Sequence, residues 1–163
     1  MSNGRGSWSV AAGVKARWDD AGLSTLFKSE WPDPTTTQYL AFNDGEARPA
    51  KDGTNHPRPY CIVEQGEPIR VEGSSGTTST TKREIQDVPL QFTVYATTKT
   101  KAKQFASQIA NAFDTARLTL DDDDGHVDTL RDPDFSVRED DKTWAWVLQY
   151  RIRIDVGYNA ALS

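Results

Sequence analysis

Cysteine is nearly absent from this sequence, since Cys61 is the only one in 163 residues. A single cysteine excludes an internal disulfide framework and any cysteine-rich zinc site. Histidine is almost as rare. His56 lies among prolines with no cysteine or acidic residue at ligand spacing. His126 adjoins a run of aspartates and is interpreted as a loop histidine rather than a metal ligand.

Basic residues are in deficit, with 19 Lys and Arg against 24 Asp and Glu and a formal net charge of −5. A nucleic-acid-binding domain usually carries a clustered basic surface, so this balance argues against one. Long apolar runs are also missing, and the first six residues lack the apolar centre of a signal peptide. We expect one domain over residues 1–163, with its core at about 8–156, made in the cytoplasm of a host cell.

The most regular pattern in the chain lies near its end, between Lys142 and Val156. Large apolar residues occupy alternate positions there, which indicates a half-buried β-strand. The apolar face consists of Trp144, Trp146, Leu148, Tyr150, Ile152, Ile154 and Val156. The other face is more polar and carries Arg151 and Arg153, so it is either exposed to solvent or in contact with another subunit.

Periodicity predicts the remaining elements. Helices are expected at 8–27, with Ser7 or Ser9 as N-cap and a break at Gly22, and at 99–116, with Thr98 or Thr100 as N-cap. Further strands are expected at 37–42, 60–64, 69–71, 83–96 and 127–130, and Phe135 and Val137 are expected to continue the last of these extended stretches. Pro89 has no N–H for a ladder, so the strand there should have an edge or a bulge. These elements predict an α+β fold, with two helices packed on one face of an antiparallel sheet of about four strands.

Two long segments contain little that would form a core. Residues 32–59 include five prolines and are predicted to be a long loop, which in a compact domain is usually functional or mobile. Residues 73–81 are a run of Gly, Ser and Thr that cannot bury apolar surface. They are predicted to form the flexible tip of a hairpin.

The acidic run, Asp121–Asp124, is followed by Gly125 and invites comparison with a calcium loop. If Gly125 takes the sixth position of an EF-hand loop, Leu120 falls at the first position and Arg131 at the twelfth. Both positions need an oxygen ligand, so the match fails at both ends. A solvated turn is the favoured interpretation.

Other chemistry is equally weakly supported. An acidic group that could build a two-metal nuclease site comprises Asp132, Asp134, Glu139, Asp140 and Asp141, but acids at strand ends are more often solvated turns. No nucleophile elbow and no glycine-rich phosphate loop occurs. Cys61 lies in an apolar strand, the usual setting of an inert buried thiol. The sequence therefore predicts no catalytic residue, no cofactor site and no metal site.

The order and lengths of these elements, rather than any one motif, resemble the tail terminator (tail-completion) proteins of long-tailed bacteriophages and related particles. The resembling features are the N-terminal helix, the strand at 59–64, the polar hairpin tip, the strand at 88–95, the helix at 99–116 and the closing strand at 144–156. Together they span most of residues 8–156. The segment 32–59 is longer than this resemblance leads one to expect.

The resemblance implies a non-enzymatic virion protein that forms a ring, commonly six-fold, on the last ring of the tail tube. There it would stop tube polymerisation and offer a docking surface to the head connector. Its partners would be further copies of itself, the tail tube protein and the connector or stopper protein. DNA would pass through the lumen without specific binding, which a net negative charge favours. The candidate interface residues are Ser74, Ser75, Thr77, Thr78, Arg151 and Arg153.

Two alternatives stay open. A head-completion or stopper protein, or another neck connector, belongs to the same class but takes a different position in the particle. A metal-dependent enzyme would require the acidic segments to bind metal, and its activity would be sensitive to a chelator.

Overall fold

A computed structural model of the chain describes residues 2–37, 39–44, 57–71, 76–77, 81–114, 116–120, 125–140 and 142–159. The helices of this part are α1 (Ser2–Asp20), α2 (Leu23–Lys28) and α3 (Lys99–Phe113). None of these described helices is long and apolar enough to cross a membrane.

The described strands form one seven-stranded sheet. They are β1 (Phe42–Asp44), β2 (Tyr60–Gln65), β3 (Ile69–Arg70), β4 (Gly76–Thr77), β5 (Thr81–Ala96), β6 (Gly125–Asp140) and β7 (Thr143–Asn159). The main order is β1-β2-β5-β7-β6, and β3 and β4 also pair with β5. Only β1 and β2 run parallel among these pairs. The α+β class and the mainly antiparallel sheet are confirmed, whereas the expected numbers of strands and helices were too low.

The hydrophobic core lies between the helices and one face of the sheet, called here the core face. From β7 the side chains of Leu148, Tyr150, Ile152, Ile154 and Val156 are buried there, as predicted from their alternation. Trp144 and Trp146 share this face but are only half-buried. At ~1.5–3 kcal/mol for each fully buried large side chain, the five buried residues contribute on the order of 10 kcal/mol.

Helix α3 covers the middle of the core face, and both of its ends are fixed by hydrogen bonds. At its start, the Thr98 hydroxyl accepts a bond of 3.1 Å from the Lys101 N–H, which confirms Thr98 as the N-cap. At its end, Asp114 accepts bonds from the Tyr150 hydroxyl (2.7 Å) and the Arg131 guanidinium (2.9 Å). The helix is therefore held to both β6 and β7.

The N-terminal helical region differs from the prediction at its start. Helix α1 begins at Ser2, so Ser7 and Ser9 lie inside the helix and are not its N-cap. The predicted break at Gly22 is confirmed, because this residue has a φ of 67°. A glycine adopts such left-handed backbone at little cost, and α2 begins immediately after it.

The proline-rich segment 32–59 is only partly described, but its two ends are tied together. Trp31 is buried, and its indole Nε1–H donates to the backbone oxygen of Pro59 at 2.8 Å. The short strand that was predicted at 37–42 begins instead at Phe42 and pairs with β2. Residues 45–56, which include His56, lie outside the described residues.

Pro89 occupies a local edge within the sheet. It pairs with Arg151 in the continuous β5–β7 register, so no bulge occurs on that side. On the other side, β2 ends opposite Leu90 and β3 begins opposite Asp87. The missing N–H therefore faces a gap between two strands, while the Pro89 carbonyl accepts a bond of 2.9 Å from the Gly66 N–H.

Candidate assembly surface

The outer face of the sheet, opposite the core face, is divided into an apolar half and a charged half. It is formed by the odd-numbered residues of β5 and β7 and by their partners on β2 and β6. Cross-strand rows of the apolar half are Tyr60–Tyr95–Ala145–Val137 and Ile62–Thr93–Val147–Phe135. The next rows, toward the start of β6, are Glu64–Gln91–Gln149–Asp132, Pro89–Arg151–Leu130 and Asp87–Arg153–Asp128.

The apolar half, named here the outer patch, consists of Tyr60, Ile62, Tyr95, Phe135 and Val137. The rings of Tyr60 and Tyr95 stack at a centroid distance of 5.0 Å. Burial decreases across the sheet, from 5% exposure at Tyr60 to 47% at Phe135 and 41% at Val137. The patch therefore ends in two exposed apolar side chains on β6, one of the two edge strands of the described sheet.

The charged half is a chain of ion pairs that involves both predicted arginines. Arg153 forms a two-pronged pair with Asp87, with Nε and Nη2 at 2.8 and 3.0 Å from its two carboxylate oxygens. Asp87 is buried, and this hydrogen bond raises the pKa of Arg153. Arg151 reaches Asp132 at 3.3 Å and Asp87 at 4.0 Å. Both arginines are thus satisfied within the subunit.

A shallow groove of about 390 Å³ crosses the outer face between the two halves. Its floor and walls include Gln91, Gln149, Glu64, Asp132 and Arg151. Amide and carboxylate groups lie beside apolar area in this lining, and they can exchange hydrogen bonds with a polar partner segment. The groove therefore extends the outer patch with a polar rim, the usual composition of a protein–protein contact.

Strand β6 is protected against unspecific strand pairing over part of its length. Its register with β7 is irregular between His126 and Asp128, between Asp132 and Phe135, and between Arg138 and Asp140. Bulges and a proline on an edge strand prevent it from acting as a template for aggregation. Two regular stretches remain, 128–132 and 135–138, and the second contains Phe135 and Val137. The exposed part of the outer patch lies in this second stretch.

The predicted interface residues are only partly brought together. Arg151 and Arg153 lie side by side on the outer face. Thr77 belongs to β4, whose backbone pairs with Lys82, whereas Ser74, Ser75 and Thr78 lie outside the described residues. Phe135 and Val137 were recognised as extended residues, but their role in a surface patch was missed. Only the cross-strand register, which the sequence does not state, aligns them with Tyr60 and Ile62.

Some of the residues that were considered for chemistry lie in the described part of the chain. Cys61 is fully buried, and burial strongly raises the pKa of its thiol. Within the described ranges, no group of three or more His, Cys, Asp or Glu residues is arranged to hold a metal ion. The acidic run Asp121–Asp124 lies outside those ranges, so the geometry of the calcium-loop comparison stays untested.

Comparisons with known proteins identify the family of the chain. No curated protein matches the chain. Among solved structures, a chain of the "Virion of native gene transfer agent (GTA) particle" is similar, with 19% identity and a TM-score of 0.47. The alignment covers 71% of this chain and 78% of that one. A family model described as "Tail completion protein gp17" matches residues 53–155. Because that match spans more than half of the sequence, the chain belongs to the tail completion protein gp17 family.

Proposed function

We propose that this protein is a tail terminator that forms a ring on the end of the tail tube, stops its polymerisation and joins the tail to the head connector. The observation that carries the proposal is membership of a tail-completion family, which confirms the resemblance drawn from the sequence. The protein is accordingly a structural component of a virion tail. Ring formation, its commonly six-fold symmetry and the tube and connector partners are the proposed part.

The outer patch supplies one side of the contact between neighbouring copies. A ring needs two different complementary surfaces on each subunit, because the contact is heterologous and must close. Phe135 and Val137 expose apolar area next to a polar groove, on a strand whose irregular ends limit simple strand addition. An apolar centre with a polar rim matches the composition of a specific interface.

The proposal is tested by the size of the purified protein and by tail assembly. We expect light scattering and negative-stain images to show closed rings, and tails made without this protein to lack a terminated end. Phe135→Glu should abolish ring formation, because it places a charge in the apolar centre of the contact. Leu26→Glu introduces the same charge at a residue with 39% exposure on α2, and it serves as the matched control.

A monomer at all concentrations, or a Phe135→Glu variant that forms rings as the wild type does, would contradict the proposal. Tail completion that continues in the presence of a chelator separates it from the metal-dependent enzyme considered above. A ring that attaches to heads rather than to tails would favour the head-completion or stopper alternative.

A further inference from the structure

Three cations surround two half-buried tryptophans where α3 begins. The basic-aromatic cluster, as it is named here, comprises Lys99, Lys103, Arg138, Trp144 and Trp146. Lys99 Nζ lies 5.8 Å and Arg138 Cζ 5.9 Å from the ring centroid of Trp144. Lys103 Nζ lies 5.9 Å from that of Trp146, whose Nε1–H donates to Asp134 at 2.7 Å. All three cations are exposed, so the cluster is accessible.

Lys99, in the first turn of α3, opposes the local preference of the helix. Helix α3 carries three lysines and no acidic residue, and Lys99 and Lys101 lie in its first turn. The N-terminus of a helix carries partial positive charge, so cations there are unfavourable. A residue that is electrostatically unfavourable in its own helix, with no compensating local interaction, is usually part of a functional site.

Only one of these three lysines has an acidic partner in the part of the chain that the structure describes. Lys101 pairs with Glu30 at 2.6 Å. Lys99 and Lys103 instead contact aromatic rings, which supply much less counter-charge than a carboxylate. The cluster therefore presents positive charge and flat apolar surface together. This combination suits a carboxylate-rich peptide segment from outside the subunit.

The chain itself contains such a segment. The acidic run has four consecutive aspartates between Leu120 and Gly125. Leu118 N–H donates to His126 Nδ1 at 3.0 Å, which fixes the approach to the run beside the first residues of β6. The cluster lies at the other end of the same strand, where Arg138 pairs with Trp144.

An acidic run cannot reach the cluster of its own subunit. Residues 125 and 138 are thirteen positions apart along β6, which corresponds to roughly 40 Å at about 3.3 Å per residue. The five peptide units from Leu120 to Gly125 span at most about 18 Å even when fully extended. A contact between the two charged ends of β6 therefore requires two copies of the chain.

We propose that the acidic run Asp121–Asp124 of one copy docks on the basic-aromatic cluster of the next copy in the ring. This inference rests on the proposed function, and it names the complementary surface that a heterologous contact needs. The cluster lies on the core-face side of the sheet, at the same end of β6 whose outer face carries Phe135 and Val137. Val127, with 48% exposure, follows the acidic run at the other end of the strand. Each end of β6 thus offers charge beside exposed apolar residues.

Charge reversal on both sides tests this contact. Lys99→Glu/Lys103→Glu and Asp122→Lys/Asp123→Lys should each raise the dissociation constant of self-association by about tenfold or more, because like charges then face each other. An equimolar mixture of the two variants should recover rings, since every contact in an alternating ring again joins opposite charges. The matched control is Lys28→Glu/Lys101→Glu, which changes the net charge equally outside the cluster and should retain association. Thermal melts verify that all variants are folded.

The outcomes separate this inference from the proposed function. If both charge-reversed variants form rings as readily as the wild type, the docking is refuted but the proposed ring is not. The same holds if a mixture of the two variants fails to recover rings. A monomeric wild type would refute both. Duplex DNA is the rival partner of the cluster. A Lys99→Glu/Lys103→Glu variant that loses fluorescence-anisotropy binding to DNA but keeps its rings would assign the cluster to DNA and overturn the proposal.

Discussion

At the scale of single residues, His126 shows how a side chain with ordinary sequence surroundings acquires a defined role. It joins the segment after α3 to β6, because its Nδ1 accepts the Leu118 N–H and its Nε2 lies 2.9 Å from the Thr129 hydroxyl. An acceptor at Nδ1 requires a neutral ring with its proton on Nε2. Burial lowers the pKa of His126 and Arg117 lowers it further, while Asp128 opposes the shift.

This pKa shift predicts a stability that depends on pH. In the unfolded chain the pKa of His126 is about 6.5, and in the folded chain its pKa is lower. The free energy of unfolding should therefore be fully maintained above about pH 6.5 and decrease as the pH falls through the folded pKa. His126→Asn offers an acceptor close to the Nδ1 position but does not titrate. Melting temperatures of this variant should decline less between about pH 7.5 and 5.5 than those of the wild type; parallel curves would contradict the assignment.

At the scale of secondary-structure elements, the sequence predicted best those elements that have long, regular hydrophobic patterns. Strand β7 and the start of helix α3 were located correctly because alternation at period two and at helical spacing continues over many residues. The predicted end of the helix at 116 was wrong, because α3 ends at Phe113. Strand β6 was predicted only in fragments, because Pro133 and three register irregularities interrupt its alternation. Strands β1, β3 and β4 have two or three residues each, too few for any periodicity. Their positions depend on pairing with distant strands.

The two faces of β7 provide a direct test at this scale. Ile152 is fully buried on the core face, so Ile152→Ala should lower the free energy of unfolding by about 2–5 kcal/mol. Arg151 is its neighbour on the outer face and is half-exposed in its pair with Asp132, so Arg151→Ala should cost less than about 1 kcal/mol. Denaturant unfolding of both variants checks this difference. Equal losses would mean that the outer face is as important for folding as the core face.

At the scale of the whole molecule, the net charge is negative, but the charged residues are unevenly distributed. The chain carries a net charge of −5. The charged residues of α3 are nevertheless all lysines, whereas the four residues before β6, Asp121–Asp124, are all acidic. An overall negative charge limits adhesion to DNA, whereas opposite charges at two ends of one strand favour ordered self-association. The outer patch could not be predicted, because its rows combine residues from four strands. The charged ends could be read from the sequence, but not their separation.

The hairpin tip at 73–81 gives the last prediction at this scale. The structure corrects part of this predicted tip, because Gly76–Thr77 form β4, paired with Arg83 and Lys82, and Thr81 begins β5. The segment is still longer than the two-residue turn that suffices for a hairpin. We expect that replacing residues 74–80 with an Asn-Gly turn leaves the subunit folded, because shortening the loop changes the free energy of closure by only about 1 kcal/mol. The pairing of β5 with β7, which extends to Thr81 and Asn159, does not depend on the tip. The melting temperature should therefore stay close to that of the wild type.

The same replacement should weaken ring formation or attachment to tails, because it removes Ser74, Ser75, Thr77 and Thr78, the predicted contacts with the tube or a neighbouring copy. Contacts that this segment makes only with a neighbour contribute to binding without contributing to the stability of the free subunit. The measurement is a tail-completion assay carried out beside the thermal melt. If the variant melts normally and still completes tails, the tip is passive, and assembly depends on the outer patch and the charged ends of β6.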